Sequence, residues 1–147
     1  MISKILYMLP LISSANNEQL KKIHNLIMFS ARTILGSYCF KISCKKILNQ
    51  VNWLSAKQLI KWSIIKSIHK IILYKKPENL YDYYKINKRQ CASIVPKIYP
   101  KKKFSREFFL FKGLEYYNSI PNNIIKYPPH IFKKKGLQYM KSNFDVH

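Results

Sequence analysis

Acidic side chains are scarce in this chain of 147 residues: six Asp and Glu stand against 27 Lys and Arg, for a net charge of +21. Glu18, Glu78, Asp82, Glu107, Glu115 and Asp145 are scattered singly, with the two Asp 63 positions apart. Two-metal polymerase or nuclease chemistry needs clustered carboxylates to hold its ions close together. No such cluster exists, so the chain is expected to have no enzymatic activity and no cofactor. Glycine is also rare, with three residues in all, which argues against Gly-rich loops that cradle phosphates. Cys39, Cys44 and Cys91 are an odd number, against a disulfide framework and for a reducing compartment. Cys39-x4-Cys44 lacks a second pair at zinc spacing, and His24, His69, His130 and His147 stand alone, so no metal site is expected. No apolar run approaches the ~18 residues of a membrane span. The apolar stretch Ile5–Ile12 near the N-terminus is broken by Pro10 and preceded by a single base, Lys4, which argues against secretion. The expected location is intracellular, with nucleus and cytoplasm both open.

Apolar side chains are plentiful. Hydrophobic residues make up 48% and aromatics 14%, enough for a core and too many for wholesale disorder. The length suits a single domain, residues 1–147. The basic excess favours nucleic acid or an anionic surface. Only Arg32, Arg89 and Arg106 are arginines, so the charge is mostly lysine. Lysine acts as a point charge on phosphate, whereas arginine reads bases bidentately. Backbone contacts are therefore expected rather than sequence reading. The alternative is a basic interaction or structural protein of an A/T-rich virus or parasite, with no nucleic-acid role. A/T-rich codon usage raises Lys, Ile, Asn and Tyr together, but it does not account for the scarcity of Asp and Glu.

The hydrophobic spacing predicts a mostly α, small helical domain with a short extended or β ribbon in the middle. The N-terminal helical part covers 16–84. A first helix over 16–35, capped by Asn16 or Asn17, carries Leu20, Ile23, Ile27, Ala31 and Ile34 on one face and stops at Gly36. Ser43 is expected to cap a short helix over 43–51, and Ser55 a longer one to about Tyr74. The stripe of that longer helix is Ile60, Ile64, Ile68, Ile71 and Ile72. Pro77 begins a short turn or helix through Leu80 and Tyr84. Residues 85–105 read as an extended basic ribbon or linker. The C-terminal helical part, 106–143, holds two helices, the second opened by Pro128-Pro129 with Phe132, Leu137 and Met140 inward. Gly136 is expected to weaken that last helix by about 1 kcal/mol relative to Ala. The stripes near 20–34, 60–72 and 131–140 are expected to pack together, with Trp53 buried among them.

Five segments in order are similar to the region that follows the polymerase core in reverse transcriptases of non-LTR, jockey-like LINE retrotransposons. They are Leu20-Lys-Lys-Ile-His24-Asn25 with Ala31-Arg32-Thr-Ile-Leu35-Gly36; Asn52-Trp53-Leu54-Ser55-x-x-Gln58; Pro77-x-x-Leu80; Phe109-x-x-Lys112-Gly113-Leu114-x-x-Tyr117-Asn118-Ser119-Ile120-Pro121-x-x-Ile124; and Phe132-Lys133-Lys134-Lys135. They span most of the chain, about residues 5–142. Leu59, Ile120 and Gly136 depart from the family's pattern. The resemblance implies a thumb-like segment that helps to grip primer and template, without the fingers and palm, which would lie upstream of Met1. It also implies a protein partner over apolar surface that a palm would have covered.

The partners expected on this reading are RNA or an RNA/DNA duplex, with no small-molecule substrate. The candidate phosphate contacts are Lys21, Lys22, Arg32, Lys57, Lys61, the run Lys101, Lys102 and Lys103, and the run Lys133, Lys134 and Lys135. They form one footprint only if the fold brings them together. Tyr81, Tyr83, Tyr84, Phe108, Phe109, Tyr116 and Tyr117 sit among these bases. Such aromatics stack on nucleobases in some proteins, but at helical spacing they are expected mainly in the core.

Overall fold

Two capping boxes start the long helices. In a computed structural model of the chain, which describes residues 16–36, 42–87, 93–96 and 109–143, helix α1 runs Asn17–Leu35. The Asn16 side chain accepts from the Gln19 N–H at 2.9 Å, and the Gln19 side chain accepts from the Asn16 N–H at 3.1 Å. Gly36, at φ 61°, ends the helix in the left-handed conformation that glycine adopts without strain. Helix α2, Cys44–Gln50, follows Ser43, whose side chain makes no capping bond; Ser43 marks that start by position alone. Helix α3, Ala56–Tyr74, begins with a second capping box in which Ser55 and Gln58 serve each other's N–H groups. Gln58 therefore has a local structural role within the segment around Trp53.

Among the described residues that follow, three helices pack on α3. Helix α4 is a single turn, Glu78–Tyr81, shorter than expected because Tyr84 pairs in the ribbon instead. The expected ribbon is an antiparallel pair, β1 Tyr84–Asn87 with β2 Ser93–Pro96, in the register Tyr84 opposite Pro96 and Asn87 opposite Ser93. Helices α5 (Phe109–Asn118), α6 (Asn122–Ile125) and α7 (Pro129–Asn143) complete the order among the described residues. Asn118, at the end of α5, accepts from the Ile94 N–H at 3.1 Å and donates to the Ile94 carbonyl at 2.8 Å. Its amide replaces a missing strand partner and fastens the ribbon to the helices.

Helix α3 is the hub, packing on α1, α4, α5 and α7. It is therefore buried on more than one side: Trp62, Ile65 and His69 are inside together with Ile60, Ile64 and Ile68. The expected single stripe is too narrow, because a central helix meets neighbours all round. The main core joins α3 to α5, α7 and the ribbon through Leu110, Leu114, Tyr117, Ile120, Phe132 and Met140. A second, smaller core joins α1 and α2 through Ile27, Met28, Ala31, Ile47 and Leu48, and reaches α3 at Ala56.

Three expectations are corrected. Trp53 is half-buried beside the smaller core, and the tryptophan sealed inside is Trp62, 4% exposed. Ile34 is 63% exposed, because the inward face of α1 turns through Ile27, Met28 and Ala31. Gly136 does not merely weaken α7. A Cβ there would lie 2.7 Å from Cζ3 of Trp62, so the bare backbone is what lets the indole ring lie against the helix. Gly113 does the same on α5, where a Cβ would meet Cγ2 of Ile64 at 2.7 Å.

Candidate nucleic-acid interface

Two bases from different helices, Lys21 and Lys57, meet at one hollow. Helix α1 and the start of α3 lie side by side, which places Lys21 and Lys57 on the same groove of about 460 Å³, with Leu20 and His24 between them. His24 and Ser55 also line an adjoining open cavity of about 400 Å³ bordered by α2, the turn into α3 and the end of α7. Lys45 and Lys141 stand at that cavity, together with Asn49, Asn52, Trp53 and Gln58. No lining residue of either hollow is acidic. The Lys141 ammonium donates to the Asn52 carbonyl at 3.1 Å and to the Asn52 side-chain oxygen. Asn52 holds a left-handed turn at φ 59°, a conformation asparagine tolerates better than most residues. That bond ties α7 to the turn between α2 and α3.

The charge continues from the groove along α3. Burial, then the neighbouring ammoniums of Lys112 and Lys57, push the Lys61 ammonium below the ordinary lysine value. Its Nζ stands 5.1 Å from the centroid of the Tyr116 ring. Lys66 is lowered in the same way, by burial first and then by Lys133 and Lys70. Crowded ammoniums repel one another, and an incoming polyanion relieves that repulsion. Lys57 and Lys66 are nine residues apart, about two and a half turns, so the two groups face opposite sides of α3.

The expected footprint is thus divided. Lys21 and Lys57 share the groove, and Lys61 stands close enough to Lys57 and Lys112 to feel their charge. Lys133 belongs to a second group with Lys66 and Lys70. Lys22, Lys134 and Lys135 are exposed, and Arg32 is half-buried in the last turn of α1; none of these four lines the groove. Lys101, Lys102 and Lys103 lie outside the described residues, as do Cys39, Cys91 and Phe108. Lys45 and Lys141 were not legible as site residues. Each is a single base on a short or distant segment, and the Lys141–Asn52 bond, across 89 positions, holds the second at the cavity. Of the aromatics, Tyr84 and Tyr117 are core. Burial raises both phenols well above the ordinary tyrosine range.

Inside the main core, His69 Nδ1 and the Tyr117 hydroxyl are 3.0 Å apart, and the imidazole stacks on Phe132 at 3.7 Å between centroids. Its Nε2 has no hydrogen-bond partner among the described residues, and burial lowers its pKa. This histidine belongs to the packing and is remote from the groove residues. Among the described residues no group of His, Cys, Asp and Glu is placed to hold a metal ion, and no helix is long and apolar enough to cross a membrane. No family model, curated protein or solved structure matches the chain.

Proposed function

We propose that the chain is a non-catalytic nucleic-acid grip, a thumb-like segment of the kind that follows the palm in non-LTR retrotransposon reverse transcriptases. It holds RNA or an RNA/DNA duplex by its phosphates. The observation that carries this reading is the meeting of Lys21 and Lys57, from two different helices, in one groove that has no acid along it and opens toward Lys45 and Lys141. Each phosphate neutralised there releases condensed counterions, so affinity is expected to fall steeply with salt and to ignore base sequence. Among the described residues no group of acids is placed to hold metal ions, and the grip performs no two-metal chemistry in this reading.

Binding of the purified chain to RNA duplex, RNA/DNA hybrid and DNA duplex, followed from about 50 to 200 mM salt, tests the reading. RNA-containing duplexes are expected to bind at least as tightly as DNA, all with steep salt slopes. Absence of binding near 50 mM salt, or binding indifferent to salt, contradicts it. Primer extension above background would contradict the non-catalytic part. A second reading, a protein-interaction module, is favoured by one feature: Leu26, Phe29 and Ile34 of α1 are 51%, 68% and 63% exposed. Concentration-dependent association abolished by Phe29→Ser, in a chain that binds no nucleic acid, would select that reading.

A further inference from the structure

The cavity beside the groove is built for more than a phosphate. Phosphate needs charge and N–H donors and gains nothing from an apolar floor. Here Leu48 and Leu54 are buried at the cavity wall, and the half-buried Trp53 stands among polar residues and the two bases. A nucleobase asks for that combination: an apolar face to lie on, hydrogen-bonding groups along its edge, and cations near the phosphates on either side.

We propose that this cavity takes one unstacked base of a single-stranded stretch of nucleic acid, seated against Trp53, while the neighbouring phosphates run to Lys45, Lys141 and the Lys21–Lys57 groove. The proposal rests on the phosphate-gripping reading above and adds to it the substrate class of this one site. The volume, about 400 Å³, falls at the lower end of small-molecule pockets, about 300–1,000 Å³. A single base with its sugar fits within it. Gln58 comes preorganised for the edge. Its side-chain oxygen accepts from the Ser55 N–H at 2.9 Å, which fixes the amide and leaves its NH2 group as a donor. Asn49 contributes a second, exposed amide. A base held in a duplex cannot reach such a site without unpairing, so the site selects single strands or the frayed end of a duplex.

Two side chains at the cavity report on occupancy, the Trp53 ring and the exposed free thiol of Cys44. The full chain would be mixed with an oligouridylate, with an abasic strand carrying the same number of phosphates, and with an RNA duplex. Alkylation of Cys44 would be followed at peptide resolution, with Cys39 and Cys91 as internal references, alongside affinity and tryptophan fluorescence. The oligouridylate is expected to bind at least about fivefold tighter than the abasic strand, as one stacked base implies. It should also slow Cys44 alkylation and quench a fluorescence component that Trp53→Phe removes. Trp53→Leu should lower its affinity to that of the abasic strand. Should Trp53→Leu fail to fold, Cys44 protection in the unaltered chain decides. Equal affinity for intact and abasic strands, or tighter binding without Cys44 protection, overturns the base site and leaves the phosphate grip standing. Protection by the duplex as strong as by the single strand also overturns it. Binding to none of the three overturns both readings.

Discussion

The two cores of this fold are built differently. The main core, between α3, α5 and α7, is closed and rich in rings: Trp62 stacks on Phe132 with centroids 5.6 Å apart, Phe132 on His69, and His69 bonds to Tyr117. Glycines at 113 and 136 let the helices come close enough for that packing. The smaller core, between α1 and α2, is aliphatic, consists of six buried residues, and borders both hollows. The lesson is a division of labour. The closed core supplies rigidity, and the open one leaves room, positive charge and a half-buried tryptophan where a ligand can enter.

Truncating the two tryptophans breaks this comparison most sharply. Trp62→Ala is expected to cost about 3–5 kcal/mol, as for a fully buried aromatic. Trp53→Ala should cost less than half as much, because part of its surface already faces the cavity. Denaturant midpoints measured under one set of conditions check the pair. Equal losses would mean that the smaller core is as closed as the larger.

The glycines give a sharper, smaller effect. Helix propensity alone favours Gly136→Ala by about 1 kcal/mol. Overpacking against the Trp62 ring opposes it by about 1–3 kcal/mol, and a rigid indole cannot step aside as a flexible chain end does. Gly136→Ala is therefore expected to destabilise. A raised melting temperature in that variant would show that the ring does not lie against the helix.

Protonation distinguishes the cores as well. Burial lowers the folded-state pKa of His69 below its unfolded value, so the unfolded chain binds the proton more readily. Stability contributed here is complete above about pH 6.5, the unfolded histidine value. It falls as pH drops from there toward the lowered folded value. His69→Phe should flatten that part of the stability profile, at the cost of leaving the Tyr117 hydroxyl without its partner. An unchanged profile in the variant would place the titrating group elsewhere.

Much of the helix order was legible because its punctuation is local. Asn16, Ser55, Gly36 and the proline pair at 128–129 each act on the few residues beside them. The short helix α6 has only Pro121 before it, with no side-chain cap, and was not anticipated. Burial was less legible where tertiary contacts decide it: α3 reads as a helix with one stripe, but neighbours on several sides bury Trp62, Ile65 and His69 too. Gly136 reads as a weakness because its reason, the Trp62 ring, lies 74 positions away. The candidate site was half legible. Lys21 and Lys57 stand out as bases on amphipathic helices, whereas Lys45, Lys141 and the cavity around Trp53 exist only once α2 and α7 have docked.

The smallest expected change in stability, and the most direct test of the central claim, comes from the groove lysines. Lys21→Ala with Lys57→Ala removes two exposed charges from one groove. Lys134→Ala with Lys135→Ala removes two exposed charges away from it. The measurement is the dependence of RNA/DNA hybrid affinity on salt for both double variants and the unaltered chain. The groove pair is expected to lower the slope of log affinity against log salt by up to about 2, and the outer pair to leave it nearly unchanged. An equal drop for both pairs would contradict the account, because it would make the binding a property of net charge rather than of the groove.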